Sequence, residues 1–129
     1  MPMTISEVSE RFGLSQDTLR YYERIGLIPP VRRSASGIRD YGEEDLKWID
    51  FVKCMRQKAG LPVEMLIEYL ALFQQGDGTL DARKTLLVEQ RGRLAEKIDD
   101  MTSTLRRLDD KIARYEQTIG GKEQALRAP

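Results

Sequence analysis

The feature that most constrains this chain is a heptad repeat filling its second half. Leu80, Leu87, Leu94, Ile98, Met101, Leu105, Leu108, Ile112, Tyr115 and Ile119 occupy alternating a and d positions of one unbroken frame. Lys84 and Arg91 are the two polar exceptions, both at a positions. Apolar residues recurring every 3.5 residues keep one narrow seam facing a neighbouring helix, which defines a coiled coil. At 1.5 Å per residue this helix would be roughly 60 Å long. Residues 1–78 cannot cover such a seam, and the chain holds no second long helix to do so. The expectation is a homodimer joined through residues 79–120, with the seam positions from Leu87 to Ile119 as the dimerisation contacts. Gly120-Gly121 is expected to end the helix, and residues 121–129 to form a flexible tail.

The absences narrow the function. The chain has no histidine, which removes Ser-His and Cys-His catalysis, histidine metal sites and the usual proton shuttle. A single cysteine, Cys54, makes neither an intrachain disulfide nor a multi-thiolate metal site. No nucleophile–base pair or phosphate loop is visible, so an enzyme is the weakest reading, and no metal or cofactor is called for. No apolar run approaches the roughly 18 residues that span a bilayer, and no apolar signal region opens the chain. These readings place the protein in a reducing cytoplasm. Lys+Arg and Asp+Glu are equal at 21 each, so total charge says nothing about partners. Residues 18–39, however, carry Arg20, Arg24, Arg32, Arg33 and Arg39 against Glu23 alone. That excess suits a phosphate-binding patch, and equally a solvated basic surface.

The first half reads as short helices with sharp stops. Thr4 and Glu7 form a capping box, Val8 and Phe12 give an apolar stripe, and Gly13 supplies a tight turn. Ser15 is a second N-cap, opening a helix through Ile25 with Leu19 and Tyr22 inward; Gly26 stops it and Leu27 folds back. Two such helices make a helix-turn-helix, a pattern shared with plain bundles. Pro29-Pro30, the arginines and Ser36-Gly37 then break the helical period and suggest a small hairpin, the sequence picture of a wing. A third helix is expected from about Glu43 to Ala59. A fourth opens with Pro62 in its first turn and runs to about Gln75, before the break at Gly76-Asp77-Gly78. The fold class is mainly α: residues 1–41 a winged helix-turn-helix, 42–78 linking helices, 79–120 the dimerisation helix.

The run Leu19-Arg-Tyr-Tyr-Glu23, with Gly26-Leu-Ile28 and Gly37-Ile-Arg-Asp-Tyr41, resembles the MerR family of bacterial regulators. The likeness extends over the whole chain and implies an antiparallel dimerisation helix. It also implies a dimer that binds palindromic double-stranded promoter DNA, distorts an overlong spacer, and so lets RNA polymerase engage. Metal-sensing and iron–sulfur members carry cysteines that this chain lacks, and multidrug-binding members carry a larger ligand domain. The stretch Asp50–Arg56, with Ile67-Glu-Tyr69 and Leu72-Phe73, is similar to the aldehyde-responsive AdhR/NmlR branch. The resemblance makes Cys54 the electrophile sensor.

Helix-turn-helix proteins lay their second helix in the major groove. On that helix Gln16, Arg20, Tyr21 and Arg24 face outward. Arg20 is the first choice for base or phosphate, because its planar fork bonds either bidentately. In the wing, Arg32, Arg33 and Arg39 are expected on the flanking backbone, with Ile38 near the sugar. Stepping about 100° per residue from Leu46 puts the apolar centre of the third helix, Trp48, Val52, Met55 and Ala59, near 200° and Cys54 near about 80°. Lys47 and Lys58 share the side of Cys54 and favour its thiolate, while Asp50 opposes it. From the residues alone Cys54 reads first as an ordinary small side chain at a helix contact, and only the resemblance turns the balance toward a sensor. A regulator answering to a non-covalent ligand, and a coiled-coil adaptor, remain as alternatives.

Overall fold

The computed structural model describes residues 2–117, so Ile119, Gly120-Gly121 and the expected tail lie outside the described residues. The order is α1 (Ile5–Phe12), α2 (Gln16–Ile25), α3 (Glu43–Gln57), α4 (Val63–Gln74), a single 3-10 turn (Asp77–Thr79) and α5 (Leu80–Gln117). The chain divides into two compact units, Met1–Val88 and Glu89 onward.

In the first unit the local signals act as their chemistry requires. Thr4 Oγ1 accepts the Glu7 N–H at 3.2 Å, and Glu7 Oε1 accepts the Thr4 N–H at 2.9 Å, closing the capping box of α1. These bonds hold the Glu7 carboxyl below its ordinary pKa. Gly13 and Gly26 end α1 and α2 in the left-handed region, at φ 65° and 86°. At the end of α2 the Leu27 N–H returns to the Tyr22 carbonyl at 2.9 Å, as expected from its fold-back. α3 ends at Gln57, slightly before the expected Ala59, and Pro62 is the extended residue preceding α4 rather than part of its first turn. An extended residue before the helix leaves Val63 to open it.

The core of this unit is formed by Val8, Leu19, Leu27, Ile28, Tyr41 and Ile49 with Val52 and Leu66, all essentially inaccessible. Burying each aliphatic side chain contributes about 1.5–3 kcal/mol. The deepest line of α3 runs through Ile49 and Val52, whereas Trp48, Met55 and Ala59, expected at its centre with Val52, are partly buried. Apolar side chains wrap widely around α3, so their mean direction misses the side that meets the core. The first turns of α5 belong to the same unit, and Leu86 packs against the core. The corner between α4 and α5 is fixed by Thr79. Its hydroxyl donates to the Leu72 and Gly76 carbonyls at 2.6 and 2.8 Å and accepts from Arg83 Nε at 3.0 Å.

The second unit is the remainder of α5. Most seam residues along this helix stay open to solvent in the single chain, Leu87 at 38% and Met101 at 72% exposure among them, while Leu94 is half-buried. Among the described residues no helix is long and apolar enough to cross a membrane.

Candidate nucleic-acid interface

Burying Leu19 and Tyr22 turns the opposite side of α2 outward, and the Ser15 cap, Oγ to the Thr18 N–H at 3.0 Å, fixes where that side begins. Arg20 lies on it with Nη1 3.0 Å from Asp17 Oδ1 and Nη2 3.3 Å from Gln16 Oε1. The Arg24 guanidinium sits 5.5 Å from the centre of the Tyr21 ring. Gln16, Arg20, Tyr21 and Arg24 are thus brought together on one surface. The Arg20–Asp17 pair is solvent-exposed and worth about 0.5 kcal/mol, weak enough to exchange for a phosphate or a base edge.

The wing is a minimal hairpin with one bridge, between Arg33 and Arg39. The Asp40 N–H donates to the Arg32 carbonyl and the Ser34 N–H to the Ile38 carbonyl, both at 2.7 Å. Gly37 turns the tip at φ 84°, and Arg33 Nη1 braces its carbonyl at 3.0 Å. Arg32, Arg33 and Ile38 are exposed there. Arg39 is placed differently from its neighbours. Its Nε donates to Glu23 Oε1 at 2.7 Å, and the other Glu23 oxygen accepts the Val31 N–H at 3.1 Å. Glu23 therefore ties both arms of the wing to α2. In the sequence Glu23 stands out only as the single acid of a basic stretch; that isolation among arginines is the available signal for a pairing role.

Tyr41 follows the wing and bonds back to Met3 through both backbone groups, at 2.8 and 2.9 Å. Its ring is wholly buried, and its hydroxyl has no hydrogen-bond partner among the described residues. Burial, more than any neighbouring charge, pushes its pKa up.

Cys54 lies on α3, partly buried and about 170° around the helix from the Ile49–Val52 line. Its carbonyl accepts the Lys58 N–H at 2.9 Å. Lys47 Nζ lies 3.4 Å from Glu44, one turn toward the start of the helix, and Asp50 is exposed. Lys53 Nζ donates to the Phe12 carbonyl, neutralising the end of α1. Unforeseen in the sequence is an aromatic groove of about 220 Å³ lined by Trp48, Phe51, Tyr69 and Phe73, with Glu44 and Lys47 at its rim. Trp48 stands at its centre, 5.2 to 6.2 Å from the other three rings, and the Arg83 guanidinium lies 5.2 Å from the Phe73 ring centre. Aromatics from separate helices show no common period, so only tertiary packing reveals the group.

Comparison with known proteins agrees with this geometry. Residues 3–72 match the profile of the MerR HTH family regulatory proteins. The chain is 62% identical over 94 residues to the HTH-type transcriptional regulator AdhR of Bacillus subtilis (strain 168), a match covering 73% of this chain and 66% of that relative's length. A putative MerR family transcriptional regulator from Listeria monocytogenes superposes with a TM-score of 0.88 at 51% identity, covering 97% of this chain and 94% of the other. HiNmlR, a MerR family regulator lacking the sensor domain and solved bound to promoter DNA, superposes at 0.81 with 28% identity, covering 98% and 95%. With its capped helix pair, its clamped wing and these relatives, the chain belongs to the MerR family of helix-turn-helix transcriptional regulators.

Proposed function

We propose that this regulator binds a palindromic promoter operator as a homodimer, inserting α2 in the major groove and setting the wing on the flanking backbone. The observation that carries this reading is the single surface of Gln16, Arg20, Tyr21 and Arg24, beside a wing locked to the same helix by Glu23. Arg32 and Arg33 supply phosphate contacts, with Ile38 against sugar; Arg39 positions the wing and adds to the local positive field. The exposed seam of α5 supports a second copy as the partner. Two identical heads then read two half-sites, and distortion of the DNA between them is what RNA polymerase senses. A mobility shift with the protein's own promoter region tests it. Retarded DNA with steep salt dependence is expected; no shift at micromolar protein in low salt defeats the reading.

The inducer is proposed to be an electrophile, on the resemblance to the aldehyde-responsive branch and the single thiol of α3. An aldehyde adds to Cys54: sulfur bonds to the carbonyl carbon and the thiol proton ends on oxygen, giving a hemithioacetal. Transcription with a panel of aldehydes, quinones and oxidants, on wild type and Cys54→Ala, decides it. Loss of induction with operator affinity retained supports the thiol. An unimpaired response moves the sensor to a non-covalent ligand, for which the aromatic groove beside Trp48 is the site.

A further inference from the structure

We propose that the groove around Trp48 selects the inducer: it takes an uncharged molecule with one aromatic ring and a short arm, and lays the arm's aldehyde toward Cys54. This rests on the electrophile reading above and adds to it the class of aldehyde.

The groove is built from rings that the fold leaves at its surface. The deepest side chains of α3 and α4 are aliphatic, Ile49, Val52 and Leu66. The chain's only tryptophan and two of its three phenylalanines stay outside them, Trp48 and Phe51 half-buried and Phe73 40% exposed. Trp48 meets Phe51 edge-on, with planes at 88° and centres 6.2 Å apart, while Phe51 and Tyr69 lean together at 34°. Rings set at such angles show both edges and faces to the space between them, and a further ring packs against either. The volume of about 220 Å³ is small beside the roughly 300–1,000 Å³ of pockets for drug-sized ligands, so it suits one ring and little more.

The charges at the groove exclude an ion. Lys47 is paired with Glu44, and Arg83, which faces Phe73, is held by Thr79 Oγ1 at 3.0 Å and the Gly76 carbonyl at 3.4 Å. An entering ammonium would meet two cations. An entering carboxylate would lose its water and find no open cation in exchange. The polar groups left over are neutral donors: the Trp48 indole N–H and the Tyr69 hydroxyl bond to no protein atom among the described residues. Both suit the oxygen of a carbonyl or hydroxyl.

Cys54 stands one turn beyond Phe51 on α3 and about 60° around it, and side chains three apart on a helix are neighbours, with about 5–6 Å between Cβ atoms. A ring seated on Phe51 therefore carries a short-armed aldehyde to the sulfur. Sulfur bonds to the carbonyl carbon, and the thiol proton passes to the oxygen. An aldehyde without a ring gains nothing from the groove and meets Cys54 only by collision.

Trp48 is the sole tryptophan, so its fluorescence reports the groove directly in the full chain. Hydrocinnamyl alcohol carries the ring and arm without an electrophile. It is expected to change Trp48 emission saturably, alike in wild type and Cys54→Ala, and to bind about fivefold or more weakly in Phe73→Ala. Hydrocinnamate, its charged counterpart, is expected not to compete. In transcription with purified protein, hydrocinnamaldehyde is expected to induce at about a tenth of the concentration needed of propanal, its ringless counterpart. Phe73→Ala is expected to bring the two together. Circular dichroism checks folding, and Phe73→Leu, which keeps bulk without the ring, takes its place if Phe73→Ala fails to fold. No emission change at millimolar alcohol overturns the proposal. So does emission that follows protein concentration and ignores the alcohol, since a second copy then covers the groove. Hydrocinnamate binding as tightly as the alcohol overturns the uncharged class, and equal potency of the two aldehydes on wild type overturns the selection. Hydrocinnamaldehyde that still induces through Cys54→Ala fails the thiol reading and with it the delivery to Cys54. A saturable alcohol titration in that same variant upholds the groove, so the two failures are told apart.

Discussion

Arg39 Nε and Glu23 Oε1 stand 2.7 Å apart, joining the wing to α2, with 20% and 15% of the two side chains exposed. Such a pair differs from the open Arg20–Asp17 contact in two ways. Little solvent screens it, and the same carboxylate also holds the Val31 N–H.

Glu23→Ala leaves a half-buried guanidinium and a backbone N–H without their acceptor. A loss of about 1–3 kcal/mol is expected, against the 0–1 kcal/mol typical of surface pairs. Urea unfolding measures it, and the Glu23→Ala/Arg39→Ala double variant should cost less than the sum of its parts. An unchanged midpoint for Glu23→Ala would mean the wing does not need this clamp.

Arg20→Ala and Arg32→Ala should fail in different ways on DNA. A base-reading Arg20 costs about 1–3 kcal/mol on the operator and narrows the gap to unrelated sequence. A phosphate-holding Arg32 weakens all sequences alike and lowers the salt slope by about 1. Competition titrations at several salt concentrations separate them; identical profiles would withdraw the distinct roles.

Tyr41→Phe removes a buried hydroxyl that makes no hydrogen bond among the described residues. Stability at neutral pH should hold or rise by up to about 1 kcal/mol. The folded pKa of Tyr41 is raised above 10.0, so the folded state keeps its proton longer than the unfolded chain. The resulting stability is complete below pH 10.0 and is lost as pH climbs through the folded pKa. Tyr41→Phe should therefore lose less stability above about pH 10; Tyr22, raised by burial too, keeps its own share. Equal alkaline losses in wild type and variant would contradict this.

Leu105→Ala truncates the seam at two symmetry-related places in the proposed homodimer, once in each copy. At about 2 kcal/mol or more per truncation, the dimer Kd rises roughly a thousandfold. Sedimentation equilibrium reads it, with the off-seam Arg107→Gln as the control expected to stay dimeric.

Elements announced by local chemistry are legible in the sequence: the Thr4 and Ser15 caps, the glycine stops at 13 and 26, and the heptad of α5. Each is decided within a few residues of chain. The outward side of α2 is legible too, because Leu19 and Tyr22 leave it no other orientation. What the sequence hides depends on distant neighbours. Ile49 is the deepest residue of α3, yet its neighbours are apolar nearly all round, so angle alone does not single it out. Arg39 has the same composition signature as Arg32 and Arg33; only the fold brings it onto Glu23, sixteen residues back. The groove at Trp48 draws on α3 and α4 together, and no single helix displays it.

The open seam of α5 carries a consequence for how the protein behaves at low abundance. From Glu89 to Gln117 the side chains are almost all solvent-facing in the single chain, so that stretch has little of its own to hold it helical. In the proposed homodimer its order belongs to the pair, and mass action then makes the degree of folding a function of how much protein is present. Dilution would loosen this half while the head stays intact, leaving proteases a long substrate and a compact remnant.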